Sequence, residues 1–190
     1  TRAVILSRRI EEETELDISD FIAPSLGATI HDSVESSWKS EYASALKAMN
    51  IPDEVINKIK VNPIHEDPGI IPIYVEQREK NKVGKFTVGG KFDIVLDGRV
   101  RDIKTTTAFS YMYGGRDEDY KIQLSCYKWL NPKKITDDVG SIDFVFTDWS
   151  KYMAKLNPAY PQTRIITKEI DLYTPQETEK WIKSRLDALE

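Results

Sequence analysis

The sequence predicts an α/β fold with a mixed central β-sheet of about five strands flanked by helices. Three observations favour this class: an amphipathic helical pattern near the start, a run of three strand-like segments, and further helical and strand-like segments after that run. A chain of 190 residues is long enough to bury one hydrophobic core, so a single domain over 1–190 is predicted.

The first helices are predicted from apolar spacing. Between positions 26 and 49, apolar residues recur every three or four positions, which is typical of an amphipathic helix. The tripeptide Asn-Ile-Pro at 50–52 ends that helix, and a shorter helix is predicted over 53–60. The proline-rich stretch 62–72 is predicted to be a loop.

Strand-like alternation predicts the sheet. The three consecutive strands are predicted at 73–80, 86–96 and 99–106, with a polar turn near 80–85. Two more strands are predicted at 142–149 and 163–170.

The second half contributes a loop and two helices. The glycine pair in 111–119 predicts a mobile loop, and 120–130 reads as a helix that ends at Asn131-Pro132. The chain should end in a helix, because Thr174 is a plausible N-cap, Pro175 suits the first helical position and Glu177 completes a capping box.

The dipeptide Asp97-Gly98 fixes where the acidic residues of the sheet lie. It favours a two-residue hairpin turn, so residues whose numbers sum to 195 should face each other, and Asp93 should lie opposite Asp102. Lys91 should likewise lie opposite Lys104, and both aspartates should share one side of the sheet with Lys104. Facing like charges destabilise a bare sheet. A divalent metal between the aspartates is the economical solution, with Lys104 completing a hydrolytic site.

Composition narrows the class of protein. No apolar run approaches the length of a membrane span, so no membrane association is expected. Cys126 is the only cysteine, which excludes an internal disulfide and a cysteine-ligated zinc or iron–sulfur site, and fits a reducing cytoplasm. The net charge is −4, but residues 76–104 hold eight basic against five acidic side chains. Either a basic rim around an acidic centre or ordinary surface charge explains that excess.

Four motifs occur in a fixed order along the chain. They are GxxxHxxxE from Gly27 to Glu35, Asp93 on one strand, Asp102-Ile103-Lys104 on the next, and QxxxY from Gln123 to Tyr127. In this order they resemble the PD-(D/E)xK nuclease superfamily, in particular its RecB-type exonuclease branch. The resemblance covers 27–127 and implies a restriction-endonuclease-like core. Because the four-cysteine motif of some relatives is absent, the similarity is to phage-type and mitochondrial-type exonucleases without an iron–sulfur cluster.

The resemblance implies a Mg²⁺ or Mn²⁺ site. Its ligands would be Asp93, Asp102, the backbone carbonyl of Ile103 and His31, whose nitrogen shifts preference somewhat towards manganese. Lys104 would orient the attacking water, lower its pKa or stabilise the charge that develops on the phosphate, and the sequence leaves these three roles open.

Further residues are expected around this site. Glu35 lies one helical turn after His31 and could hold its ring or a nearby water. Gln123 and Tyr127 share a helix face, and in the family such a pair lies near the catalytic groups and helps to position them or the DNA. Glu76 is an additional metal-ligand candidate on the preceding strand. His65 is interpreted as a residue of a solvated loop.

The expected activity is hydrolysis of DNA by an exonuclease that acts on single-stranded DNA or on DNA ends during replication, repair or recombination. A structure-specific or sequence-specific endonuclease and a catalytically silent nucleic-acid-binding module are the alternatives. The sequence contains no GxxxxGK[ST] loop, so any helicase or recombinase would be a separate partner. The expected location is the cytoplasm of a bacterial or phage-infected cell or another intracellular compartment, including the mitochondrion.

Tyr111, Tyr113 and Arg116 either stack on single-stranded bases or are plain loop residues.

Overall fold

A six-stranded mixed β-sheet forms the centre of the computed structural model, which describes residues 22–65 and 67–188. The strands lie side by side in chain order: β1 (Ile59–Val61), β2 (Ile71–Val83), β3 (Phe86–Leu96), β4 (Arg99–Thr106), β5 (Val139–Phe146) and β6 (Ile165–Asp171). The pairs β1–β2 and β4–β5 are parallel and the other pairs are antiparallel. The α/β class and the mixed sheet are confirmed, and the arrangement is consistent with a restriction-endonuclease-like core.

Helices cover both faces of this sheet. They are α1 (Ile22–Ser36), a π-helical turn (Ser37–Glu41), α2 (Tyr42–Ala48), α3 (Asp53–Lys58), α4 (Ala108–Tyr113), α5 (Asp117–Leu130), α6 (Lys151–Leu156) and α7 (Pro175–Asp187). In the part of the chain that the structure describes, no helix is both long and apolar enough to cross a membrane.

The two core clusters lie on opposite faces of the sheet. One packs beneath α5 and includes Phe92, Val95, Val100, Leu124 and Phe144, all at most 3% exposed. The other packs beneath α1 and α2 and is formed by Ile59, Ile73, Val75, Ile94 and Ile103, with Val34 and Trp38 against them. The sheet is therefore buried on both sides, which the apolar stretches of its central strands require.

The first and last helices of the described residues form largely where the sequence predicts them. The amphipathic pattern at 26–49 forms α1 and α2, but the helix is interrupted by the π-helical turn. At the other end, the Thr174 side chain accepts from the backbone N–H of Glu177, whose carboxylate accepts from the backbone N–H of Thr174. The predicted capping box is thus confirmed, and α7 begins at Pro175.

The predicted mobile loop at 111–119 is wrong. Helix α4 begins after Thr107, whose hydroxyl accepts from the backbone N–H of Ser110 at 3.1 Å, and it extends to Tyr113. Helix α5 begins at Asp117. The three acidic residues in its first turn stabilise it, because their negative charges lie at the positive end of the helix dipole. Only 114–116 separate the two helices. The short strand β1 and the helix α6 were also not predicted.

Both hairpins of the sheet have two-residue turns. Between β3 and β4, Asp97 and Gly98 have φ values of 47° and 78°, as the predicted type I′ turn requires. Between β2 and β3, Val83 pairs with Phe86 across the turn at 84–85. This second turn fixes a register that the sequence reading had left open, and it determines where Glu76 lies.

Candidate active site

The β3–β4 ladder follows the predicted register only near its turn. Ile94 pairs with Arg101, and the two residue pairs closer to the turn also sum to 195. One position further on, Asp93 is not a ladder partner of Asp102. Its Oδ2 instead accepts a hydrogen bond of 2.8 Å from the backbone N–H of Ile103. The strands separate here, and a carboxylate takes the place of a backbone carbonyl.

The strands β2 and β3 are both irregular at this level. In a regular strand, Phe92 and Ile94 would face the same way, but they belong to core clusters on opposite faces. On β2, the pairs on either side put Glu76 opposite Asp93, and Glu76 has a φ of 55°. A left-handed conformation is unfavourable for a residue with a Cβ atom, so the structure holds local strain at this point.

Three side chains from three elements converge at the irregular position. His31 Nδ1 lies 3.3 Å from Asp93 Oδ1 and 3.9 Å from Glu76 Oε1. Gly27, one helical turn before His31, lets α1 approach β4 closely, since a Cβ atom there would lie 3.1 Å from Thr105 Oγ1. The glycine and the histidine of the first motif therefore act together, because the close approach of the helix brings the imidazole to the sheet.

Asp102 lies beside this group and is 1% exposed. Its Oδ1 accepts from Gln123 Nε2 at 2.8 Å, and the same amide donates to the hydroxyl of Tyr127 at 2.8 Å. Lys104 Nζ is 2.6 Å from Oδ2 of Asp102, so a close ion pair covers the second carboxylate oxygen.

The helix α5 can reach Asp102 because β3 has no side chain at position 90. A Cβ atom at Gly90 would meet the Tyr127 ring at 3.1 Å and Leu130 Cδ1 at 3.0 Å. The glycine therefore allows Tyr127 to lie directly on the strand, and the QxxxY motif contacts Asp102 through Gln123 alone. The Tyr127 hydroxyl touches the site only by way of that amide.

Both aspartates are held in an environment that disfavours their charge. Burial, followed by the negative charge of Asp102, raises the pKa of Asp93 to about 6, although the N–H of Ile103 opposes the shift. Burial also raises the pKa of Asp102, and the Lys104 ammonium opposes that shift. Lys104, His31 and Gln123 compensate part of this charge. The raised pKa values show that the compensation is incomplete.

The donor atoms present fit a small divalent cation. One ligand atom each from His31, Glu76 and Asp93 lie within 4.8 Å of one another, close to the spread that octahedral ligands at about 2.1 Å require. Two carboxylates and one imidazole form a set that suits Mn²⁺ and also accepts Mg²⁺. Ile103 directs its N–H towards β3, and a strand residue directs its carbonyl to the same side, so this carbonyl faces the same gap. Asp102 lies next to these three residues, where its carboxylate contacts Gln123 and Lys104.

Two predicted neighbours have different partners from those expected. Glu35 pairs with Lys39 one turn further along the helix, and the described contacts do not join it to His31. Lys91 was expected opposite Lys104, but the β3–β4 ladder ends at Ile94–Arg101 and does not reach it. On its other side Lys91 pairs with Arg78 of β2, and its ammonium contacts Glu76. That contact raises the pKa of Lys91. This ion pair follows from the register of β2, which the turn at 84–85 determines.

The aromatic residues after β4 divide into two groups. The Tyr111 ring packs against the rings of Phe144 and Phe146, with centroids 4.9 and 5.2 Å apart, so it belongs to the core. Phe109 and Tyr113 are 71% and 69% exposed, and they border a cavity of about 690 Å³ that also includes Arg116. His65 is exposed in the loop before β2, as expected.

Comparison with known proteins supports the fold. No protein-family model and no curated protein matches this chain. Its structure is similar to the crystal structure of SSO0001, with a TM-score of 0.53 and 19% identity over 98% of this chain and 70% of that chain. It also has a weaker similarity to a phage-related exonuclease from Haemophilus somnus 129PT, with a TM-score of 0.40 and 22% identity over 61% of this chain and 57% of that chain. At these identities a shared fold follows from the first similarity, and the overlap with the second is too slight for further argument.

Proposed function

We propose that this protein is a metal-dependent nuclease that hydrolyses phosphodiester bonds, acting as an exonuclease on single-stranded DNA or DNA ends. One observation carries the proposal. The strained position where β3 and β4 separate gathers His31, Glu76 and Asp93 next to the buried ion pair of Asp102 and Lys104. Local strain and poorly balanced charge are costly for stability, and both are typical of sites retained for chemistry.

Different residues of the site would have different roles in phosphodiester hydrolysis. When bound, a divalent cation would supply an activated water and neutralise charge on the phosphate. His31, Glu76 and Asp93 would hold the cation, with the Ile103 carbonyl as a further oxygen donor. The Lys104 ammonium would donate to the attacking water or to a phosphate oxygen, and Asp102 keeps that ammonium in place.

The same geometry supports the hypothesis that the chain belongs to the RecB-type branch of the PD-(D/E)xK superfamily. Each motif contributes a contact: Gly27 allows α1 to approach β4, Asp93 contacts His31, Lys104 contacts Asp102, and Gln123 donates to Asp102. Motifs separated by almost a hundred positions thus meet at a single place. This convergence supports the hypothesis.

The cavity beside the site favours a single strand as the cleaved substrate. Thr106, two positions after Lys104 on β4, is part of its lining, so the cavity lies next to the proposed chemistry. Its exposed rings, Phe109 and Tyr113, offer faces on which unpaired bases can stack, and Arg116 adds a positive charge. Tyr111 also lines the cavity, but its ring packs edge-on against Phe144 and Phe146 and is only partly exposed.

A panel of DNA substrates tests the proposal. End-labelled linear single strands, linear duplexes and closed circles are incubated with the protein in Mn²⁺, Mg²⁺ or EDTA. We expect short products from linear strands only, in the presence of either metal. Lys104→Ala should abolish cleavage, and Lys183→Ala, which removes a lysine paired with Glu179 on α7, should not. Cleavage of circles would indicate an endonuclease. Inertness of the folded protein with every substrate and metal would favour the catalytically silent module.

A further inference from the structure

The hairpin of β2 and β3 extends beyond the rest of the sheet. Strand β2 pairs with β3 from Ile73–Leu96 to Val83–Phe86, whereas β4 pairs with β3 only up to Ile94–Arg101. Beyond the candidate active site, residues 77–83 and 86–92 therefore form a two-stranded segment, which we call the ribbon. Its long, regular ladder makes it a defined arm attached directly to the site.

The two faces of the ribbon differ in burial. One face is exposed on both strands and consists of Arg78, Lys80 and Lys82 of β2 opposite Lys91, Gly89 and Thr87 of β3. The other face is half-buried: Gly90 packs against Tyr127, and Gln77 and Glu79 contact Lys134 Nζ at 2.6 and 3.4 Å. The ribbon is thus held against the body of the protein by one face, and the opposite face is open to solvent.

The exposed face of the ribbon is cationic. Arg78, Lys80 and Lys82 alternate on one strand, and none of them has an ion pair with any acid in residues 22–65 or 67–188. The one acidic residue within the ribbon, Glu79, lies on the other face. Lysines on an edge strand protect against aggregation. Protection alone does not explain why the charges form one row that continues to Lys91 and its contact with Glu76 at the site.

The row has the dimensions of a duplex contact. From Arg78 to Lys82 it extends four residues, about 13 Å at the rise of a β-strand, and this corresponds to about four base pairs of B-DNA. A two-stranded ribbon also fits the major groove. Binding of a single strand relies on aromatic faces for base stacking, and the exposed face of the ribbon carries no aromatic residue. Phosphate contact with a regular helix therefore suits this face better.

We propose that the ribbon binds the phosphate backbone of duplex DNA through Arg78, Lys80 and Lys82, next to the strand that enters the active site. The inference rests on the proposed nuclease function and refines its substrate to a DNA end or junction with a duplex on one side. The duplex would lie along the ribbon, and the unpaired strand would pass the candidate metal ligands towards the cavity at Phe109 and Tyr113.

The test removes the charges and keeps the strand. A triple variant, Arg78→Gln with Lys80→Gln and Lys82→Gln, is compared with a control that loses three exposed lysines elsewhere, Lys151→Gln with Lys155→Gln and Lys183→Gln. Affinity is measured by fluorescence anisotropy in EDTA, for a duplex of about 20 base pairs and for a single strand of the same length, across a salt series. Thermal unfolding verifies that both variants are folded.

We expect the triple variant to bind duplex at least about tenfold more weakly than wild type, and its log–log salt slope to fall by about three. Its affinity for the single strand, and metal-dependent cleavage of a very short single strand, should stay close to wild type, as should every property of the control. Unchanged duplex affinity in a variant that still cleaves would overturn the ribbon proposal alone, and so would an equal loss for both DNA forms. A wild-type protein that neither binds nor cleaves DNA would overturn the nuclease as well.

Discussion

The charged side chains on the two faces of strand β4, Arg101 and Asp102, differ in how well their charges are paired. Arg101 donates from Nε and Nη2 to the two oxygens of Asp143 at 2.9 and 2.7 Å, and the Thr167 hydroxyl donates to the same carboxylate at 2.6 Å. The adjacent residue Asp102 is more deeply buried. One of its oxygens accepts from Gln123 and the other lies 2.6 Å from the Lys104 ammonium, yet burial still raises its pKa. Sequence neighbours thus form one balanced and one unbalanced centre.

This difference distinguishes charges that stabilise the fold from charges that we propose to take part in the function. A bidentate arginine pair satisfies both carboxylate oxygens and fixes β4 against β5, so nothing further is needed there. At Asp102 and Asp93, burial raises both pKa values, and the protein's own cations do not restore them. An arrangement that disfavours its own ionised form is stabilised by whatever positive charge binds to it.

The largest expected effect is on the rate of DNA cleavage, and it should distinguish a carboxylate on one face of β4 from a carboxylate on the other. Asp102→Asn should lower the rate of DNA cleavage by about a thousandfold or more, because Lys104 loses the charge that positions it. Asp143→Asn should leave the rate within about threefold of wild type, while lowering the free energy of unfolding by about 1–2 kcal/mol through the weakened arginine pair. Turnover assays and urea denaturation measure the two quantities. Equal losses of activity in both variants would remove the distinction between the faces.

A smaller effect concerns how the free energy of unfolding depends on pH at Asp93. Asp93 has a folded-state pKa of about 6 against an ordinary 3.8, so between about pH 4 and pH 6 the folded protein binds more protons than the unfolded chain. The free energy of unfolding should therefore fall as the pH rises through that window. Asp93→Asn removes this loss, and its Oδ1 can still accept from the N–H of Ile103.

Urea denaturation in EDTA measures that effect. Relative to wild type, Asp93→Asn should be nearly neutral at pH 4 and more stable by about 1–3 kcal/mol at pH 7. The same substitution at Asp143 should be destabilising at pH 7, since that carboxylate is fully paired. A difference between Asp93→Asn and wild type that does not change with pH would show that the buried charge costs the folded state nothing.

Tight turns and caps explain how much of the architecture the sequence predicts. Asp97-Gly98 specifies its turn chemically, because both residues tolerate positive φ, and the ladder near it follows the predicted register. The capping box at Thr174 is equally local. Helix α4 was missed because the pair Gly114–Gly115 outweighed a single weak cap, the Thr107 hydroxyl, in the reading of that segment.

The irregular centre of the site could not be predicted in the same way. No local rule places a glutamate in a left-handed conformation, so the strain at Glu76 depends on pairing across two strands and on the ion pair with Lys91. The departure of Asp93 from the ladder likewise follows from the buried N–H of Ile103, a partner ten positions away. The rules of regular strand pairing predict which residues lie near one another. They do not predict the irregular backbone at Glu76 and Asp93, on which the proposed function depends.

The smallest effect tests how Gln123 supports Asp102. Its amide donates to Asp102 Oδ1, a bond that favours the ionised carboxylate, so Gln123→Leu should raise the pKa of Asp102 further. The acidic limb of the pH–rate profile, measured between about pH 5 and pH 9, should then move to higher pH, so that the loss of rate is larger at the acidic end than at the alkaline end. Tyr127→Phe is the matched control, because it keeps the ring packed on Gly90 and leaves the Gln123–Asp102 bond in place. Burial raises the pKa of Tyr127 to about 12, so the phenol is neutral throughout this range, and its removal should not shift the limb. A loss of rate in Gln123→Leu that is the same at every pH would mean that the amide only packs against the sheet, and that Lys104 alone determines the charge of Asp102.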